Sequence, residues 1–335
     1  DPQAIEAPPG FFVEKVYSAD PEMGSFTTLA NDPQGRLYLA AQHRPGIWRL
    51  TPPSIDEPHA VARLQRLGGA AEDLGYSHGL LVAFDSLFVT VSEANDAIAT
   101  GLYRLQDTDG DGQFDRRRQL MRLDGSGEHG PHHLVLGPRE ENLYLICGNG
   151  TPLPEVGVNR LGFAPSGPDR LMPPGYEPAH HTDAGWILRM RPDGSDPTLI
   201  ASGLRNAYDL AFDHRGALFT YDSDMEWDLG APWYRPTRAL HVVPGAEFGW
   251  RGDAAKWPAT IPDSVPSVVD IRPASPPGLA FGYPTAFPAS HPNPLFAAAW
   301  TFATVYTIHL SPHGSTYYGL AEPLLRGVGY PVTNI

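Results

Sequence analysis

The residues best suited to chemistry lie in four short stretches. Asp107-Thr108-Asp109-Gly110-Asp111-Gly112-Gln113-Phe114-Asp115 sets carboxylates at positions one, three, five and nine of a loop with glycine at six. Calcium takes several oxygen ligands, and the glycine allows the turn that brings Asp107, Asp109 and Asp111 to one side, with Gln113 offering a carbonyl and Asp115 closing the set. An EF-hand would need a bidentate acid at position twelve, which is Arg118. A structural calcium hairpin between strands is therefore expected, against the alternative of a solvated acidic turn. The second stretch, Gly127-Glu128-His129-Gly130-Pro131-His132-His133, puts three histidines on one loop before Leu134-Val135-Leu136-Gly137-Pro138 and a strand ending in Gly148-Asn149. Histidine titrates near neutrality and suits general base work, metal ligation, or a structural plug bonded to backbone.

The third stretch, Gly203-Leu204-Arg205-Asn206-Ala207-Tyr208-Asp209, leads into another strand. Arginine offers a fixed fork of donors, and asparagine both donates and accepts, so Arg205 and Asn206 together could orient an acidic, planar ligand; alone, Arg205 could equally hold a neighbouring element. In the fourth, Asp222, Asp224, Glu226 and Asp228 alternate along an extended segment and would share one face. Either a second cation or the nearby Arg235 and Arg238 would have to neutralise them.

The elements that must position these residues are strands. Long amphipathic helical patterns are missing, and short apolar or aromatic runs recur between Gly, Pro, Asn and Asp clusters. Gly35–Ala40, Ser86–Val91, Asn142–Cys147 and Gly216–Tyr221 read as inner strands, usually followed by a second run such as Gly46–Leu50, Gly101–Leu105 or Gly185–Met190. Recurrence of such a pair every 50 to 75 residues is what four-stranded propeller blades with variable loops produce. The expected fold is all-β, a six-bladed β-propeller spanning 1–335 as a single domain, with loop insertions at about 151–184 and 231–277; a β-sandwich is the rival. A net charge of −14 with only two lysines, Lys15 and Lys256, opposes binding to nucleic acid. The single cysteine, Cys147, excludes an intrachain disulfide and a cysteine zinc site. Apolar runs are too short to cross a bilayer as a helix. The start at Asp1 suggests an upstream segment removed on export, hence a periplasmic or secreted location.

The histidine and Arg-Asn segments resemble the soluble quinoprotein glucose and sorbosone dehydrogenases, a six-bladed propeller family. The resemblance implies that His129, counted back from Gly137-Pro138, is the base that takes a substrate hydroxyl proton. It also implies that Arg205 and Asn206 contact pyrroloquinoline quinone and substrate, and that Asn149 stands near the cofactor where the family has aspartate. The stretch from Tyr221 to Arg238, with Phe248-Gly249-Trp250-Arg251 and Ser275-Pro276-Pro277-Gly278, is similar to one subgroup, large exported bacterial proteins named as membrane-bound dehydrogenases that often carry a c-type haem domain. The implied activity is oxidation of a sugar or other alcohol with electrons passed to a haem protein. Lys256 does not match the context of the family's cofactor-facing lysine, and the last blade looks incomplete at Tyr330–Ile335. These departures favour the alternative of a non-catalytic binding or assembly module. A metal-dependent hydrolase or lyase is a third reading.

Overall fold

Branched and aromatic residues at alternate positions make half-buried or buried strands, and the Gly, Pro and Asp clusters between them make the turns. The structure is a computed structural model and describes the chain apart from residues 1, 42, 55, 58–59, 96, 157–184, 224–234, 251–263, 284–292 and 328–330. The strands form five sheets in chain order. Blade one is Phe26–Asn31, Leu37–Ala41, Ile47–Thr51 and Arg63–Arg66. Blade two is Ser77–Ala83, Ser86–Val91, Gly101–Gln106 and Arg116–Arg122. Blade three is Pro131–Leu136, Leu143–Cys147, Gly185–Met190 and Thr198–Leu204, with Ala246–Glu247 added in parallel on its outer edge. Blade four is Leu210–Phe212, Leu218–Asp222, Arg238–Val242 and Val269–Asp270. Blade five is Gly278–Phe281, Leu295–Ala299, Thr304–His313 and Thr316–Gly327, with Ile5–Glu6 on its outer edge.

The fold is thus an all-β propeller, with five blades among the described residues where six were expected. Recurrence overcounted because the insertions separate strands of one blade: the second and third strands of blade three, Leu143–Cys147 and Gly185–Met190, flank the first insertion. The last blade is also not short of strands; it has four, plus Ile5–Glu6. The runs read as inner strands prove to be second strands. The true first strands, such as Ser77–Ala83 and Pro131–Leu136, carry polar residues and irregular register, because they line a central channel of about 640 Å³. No helix among the described residues is long and apolar enough to cross a membrane.

Alternating side chains give each blade two apolar faces. Tyr38 and Ile47 of blade one pack with Leu80 and Val89 of blade two. Phe88 and Leu102 meet Leu145 and Trp186 of blade three. Ile187 and Leu204 meet Leu218 and Leu240 of blade four, and Phe219 and Tyr221 meet Leu295 and Tyr306 of blade five. Each fully buried side chain of this size contributes about 1.5–3 kcal/mol. Blade one's other face, Leu39, Trp48 and Leu50, is covered by Tyr17 and Met23 from the preceding segment. Hydrogen bonds from Thr333 Oγ1 to the Phe26 carbonyl (2.8 Å) and from Asn334 Nδ2 to the Thr27 carbonyl (3.4 Å) run from the last residues to blade one.

Candidate functional site

Strands that alternate in direction bring the links from one blade's last strand to the next blade's first strand to one end of the ring, with the links between second and third strands. His129, Asn149, Arg205 and Asn206 all lie in such links, so topology alone collects them at one mouth. His129 Nδ1 hydrogen-bonds Asn149 Oδ1, and Asn149 N donates to the Arg205 carbonyl (2.9 Å). The two motifs are thus joined through Asn149, which is fully buried. Arg205 is 4% exposed, with Nη1 3.5 Å from Ser223 Oγ.

The Asn206 amide is held from both sides. Its Nδ2 donates to the Glu128 carbonyl (3.1 Å) and its Oδ1 meets His132 Nε2 (2.7 Å). His132 Nδ1 in turn lies 3.1 Å from His78 Nδ1, the two rings stacked at 5.2 Å and flanked by Tyr208. Backbone must pass close here: a Cβ on Gly148 would stand 2.5 Å from Asn206 Oδ1 and 2.7 Å from the His129 carbonyl, and one on Gly79 would stand 2.6 Å from the His132 carbonyl. Burial pushes His132 down to about 4, against the pull of its bond to Asn206. Burial and the adjacent His132 hold His78 well below the ordinary histidine value. Both rings are neutral at pH 7.

One residue further along the strand the chemistry reverses. His133 Nδ1 donates to Asp209 Oδ1 (2.6 Å) and its Nε2 to the Leu80 carbonyl (3.1 Å). With both nitrogens donating, the ring is an imidazolium. Burial alone would lower it, but the Asp209 charge and hydrogen bond raise it above the usual range. Asp209 Oδ2 also accepts from Leu279 N (3.0 Å), so this ion pair ties the first strands of blades two, three, four and five.

Asp222, fully buried, accepts from Arg205 N (3.2 Å), Asn206 N (2.9 Å) and Arg238 Nη2 (3.0 Å). It anchors the Arg-Asn turn and is paired with arginine; Asp224, Glu226 and Asp228 lie outside the described residues. The acidic loop is elsewhere, between the third and fourth strands of blade two, at the opposite end of the ring from the mouth. Carboxylate oxygens of Asp107, Asp109 and Asp111 lie within 4.8 Å of one another. Asp107 accepts from Gly110 N (2.7 Å) and Gly112 N (2.8 Å), and Gly112 takes φ +86° at the turn. Gln113 N donates to Asp111 (2.7 Å), whereas Asp115 turns to Thr108, accepting from its N (2.9 Å) and its hydroxyl.

Sequence reasoning missed His78, Tyr208, Asp209 and Trp300. The usable signal was the parallel between Ser77-His78-Gly79-Leu80-Leu81 and His132-His133-Leu134, both polar residues opening an apolar first strand.

No family model matches the sequence, and no curated protein matches it significantly. Solved structures do. The PQQ-bound aldose sugar dehydrogenase of Streptomyces coelicolor aligns over 95% of this chain and 84% of its own with TM-score 0.64 at 16% identity. The PQQ domain of pyranose dehydrogenase from Coprinopsis cinerea aligns over 97% and 87% with TM-score 0.63 at 12% identity. The soluble aldose sugar dehydrogenase of Escherichia coli, in its apo-form, aligns over 89% and 86% with TM-score 0.60 at 15% identity. At these identities the likeness shows the fold: a propeller of the kind found in the soluble quinoprotein sugar dehydrogenases.

Proposed function

We propose that this chain is a quinoprotein-type dehydrogenase of a sugar or other alcohol, acting at the mouth where His129, Asn149, Arg205 and Asn206 meet. The observation that carries the proposal is the joining of two distant motifs, with Asn149 bonded both to the His129 ring and to the Arg205 backbone. The residues fit a planar, oxygen-rich anion. Arg205, 4% exposed, sets a permanent positive charge beneath the mouth, and the Asn206 amide lines the cavity above. Pyrroloquinoline quinone, when bound, supplies the hydride acceptor that the side chains lack. With Nδ1–H given to Asn149 Oδ1, His129 keeps its lone pair on Nε2, the atom that takes the proton of a substrate hydroxyl. Asn149 acts through His129 as a positioning residue, and Asp222 fixes the Arg-Asn turn.

Calcium on the Asp107, Asp109 and Asp111 oxygens, a periplasmic or secreted location and a c-type haem electron acceptor complete the proposal. Their support is the carboxylate cluster for the first and the sequence resemblance for the other two. The deciding experiment adds pyrroloquinoline quinone and calcium to the purified protein and follows bound quinone by absorbance and mass spectrometry. Stoichiometric binding is expected. Arg205→Ala should weaken it about ten- to hundredfold, as for loss of a charged hydrogen-bond partner. No binding would pass the reading to a non-catalytic binding or assembly module.

A further inference from the structure

His78, at the start of the strand Ser77–Ala83, lines a cavity of about 280 Å³ at the mouth, together with Asn206, Tyr208, Ser275 and Trp300. Its protonation pattern follows from a chain of hydrogen bonds. The Glu128 carbonyl can only accept, so the Asn206 NH₂ must face it, and the Asn206 oxygen must face His132. An oxygen there requires His132 to carry its hydrogen on Nε2. A neutral imidazole with Nε2–H has a lone pair on Nδ1, so the 3.1 Å contact to His78 Nδ1 requires the hydrogen to sit on His78. His78 is then Nδ1–H, and its lone pair is on Nε2. Burial keeps both rings neutral, and the Pro131 carbonyl, which also accepts from the His78 ring, must then share the Nδ1–H.

We propose that His78 Nε2 is the hydrogen-bond acceptor that positions a hydroxyl-bearing ligand in this cavity, its tautomer dictated by the relay from the Glu128 carbonyl through Asn206 and His132. An imidazole with only a lone pair to offer recognises a donor, and a hydroxyl supplies one. The surroundings offer hydrogen bonds rather than charge. The described lining residues include no lysine or arginine and one carboxylate, that of the exposed Glu128, so a hydroxyl finds a partner here in the neutral His78 ring. Trp300, 47% exposed at the rim, offers a flat apolar surface for the C–H face of a ring. The backbone of Trp300 is pinned by its N–H to the Ser275 carbonyl (3.0 Å) and its carbonyl to Ala303 N (3.2 Å). This assignment rests on the sugar reading for the class of ligand; the tautomer does not.

The test is long-range ¹⁵N–¹H correlation on the full chain labelled with ¹⁵N-histidine, without and with D-glucose, with the Trp300 indole followed in parallel. The expected result is an unprotonated His78 Nε2 in the free protein that moves on adding glucose, and a His132→Phe variant, which keeps the ring stack but removes the acceptor, in which His78 becomes a mixture of tautomers. A protonated Nε2 in the free protein overturns the assignment whatever glucose does. So does a Trp300 indole that responds while His78 stays still. If neither responds while quinone binds normally, the ligand role falls and the quinone reading stands; if quinone binding fails while glucose moves His78, the reverse holds. In the reconstituted enzyme, His78→Leu should raise KM for glucose about two- to tenfold, the loss of one neutral hydrogen bond, with less effect on kcat.

Discussion

His132 and His133 are neighbours on one strand, yet they belong to two different layers of the channel. The upper layer, His78, His132 and Tyr208, is neutral, stacked, and joined to the candidate site through Asn206. The lower layer is a buried ion pair of His133 with Asp209, aimed at backbone groups of the neighbouring blades. What separates them is the partner: an amide oxygen and another imidazole in one case, a carboxylate in the other. A strand sends successive side chains in different directions, so adjacent histidines can be given unlike partners and therefore unlike charges. The difference divides labour: the upper layer presents hydrogen-bonding groups to the mouth, and the lower layer holds the blades together.

The comparison breaks most sharply at Asp209. Asp209→Ala leaves a buried imidazolium without its partner and Leu279 N without an acceptor. It should cost about 3–5 kcal/mol of stability, read as a drop in the denaturant midpoint. His132→Phe should cost less in the same assay. Gly148→Ala tests the upper layer through its backbone. The new methyl would strike Asn206 Oδ1 and the His129 carbonyl, so overpacking of about 1–3 kcal/mol should come with loss of ligand binding at the mouth.

The layers should also titrate in opposite senses. His133, raised in the folded state, contributes stability that is complete below the ordinary histidine pKa and is lost as pH rises through its folded value. His132, lowered to about 4, gives stability that is complete above the ordinary pKa and is lost as pH falls toward that value. Stability measured against pH should therefore peak near the ordinary histidine value. The alkaline limb should slope at up to about 1.4 kcal/mol per pH unit, and the acid limb, where His78 and His132 both take up protons on unfolding, at up to about twice that. Asp209→Asn should flatten the alkaline limb, and His132→Phe should make the acid one shallower. Calcium should matter least to either layer. Chelation should lower Tm by a few degrees, as expected for a site that stabilises by mass action alone, while glucose binding at the mouth stays unchanged.

Much of this was legible in the sequence. The resemblance of the histidine and Arg-Asn segments to one propeller family named His129, Asn149, Arg205 and Asn206 together, and ring topology collects them because each lies in a link at the same end. The all-β class followed from turn chemistry and short strands. The blade number did not follow, since strand pairs such as Leu143–Cys147 and Gly185–Met190 lie far apart in sequence but adjacent in one sheet. The first strands escaped because their channel-facing residues break the apolar alternation that marks a strand. Asp222 was legible as a carboxylate needing a positive partner; that Arg238 supplies it depends on register, the two residues lying directly opposite across paired strands. His78 stayed hidden because its role depends on a tautomer fixed three residues away through space.

The ends of the described chain exchange places. Ile5–Glu6 pair with Arg326–Gly327 of the last blade, while Thr333 reaches Phe26 of the first, 307 residues away. Four of the five blade junctions can form from segments close in sequence, but this one needs nearly the whole chain to be in place. Because loop closure must precede the contacts that reward it, ring closure should be the slow, late step of folding. The order of events would then be blades first and ring last, with hydrogen exchange at Phe26–Thr28 among the last to become protected.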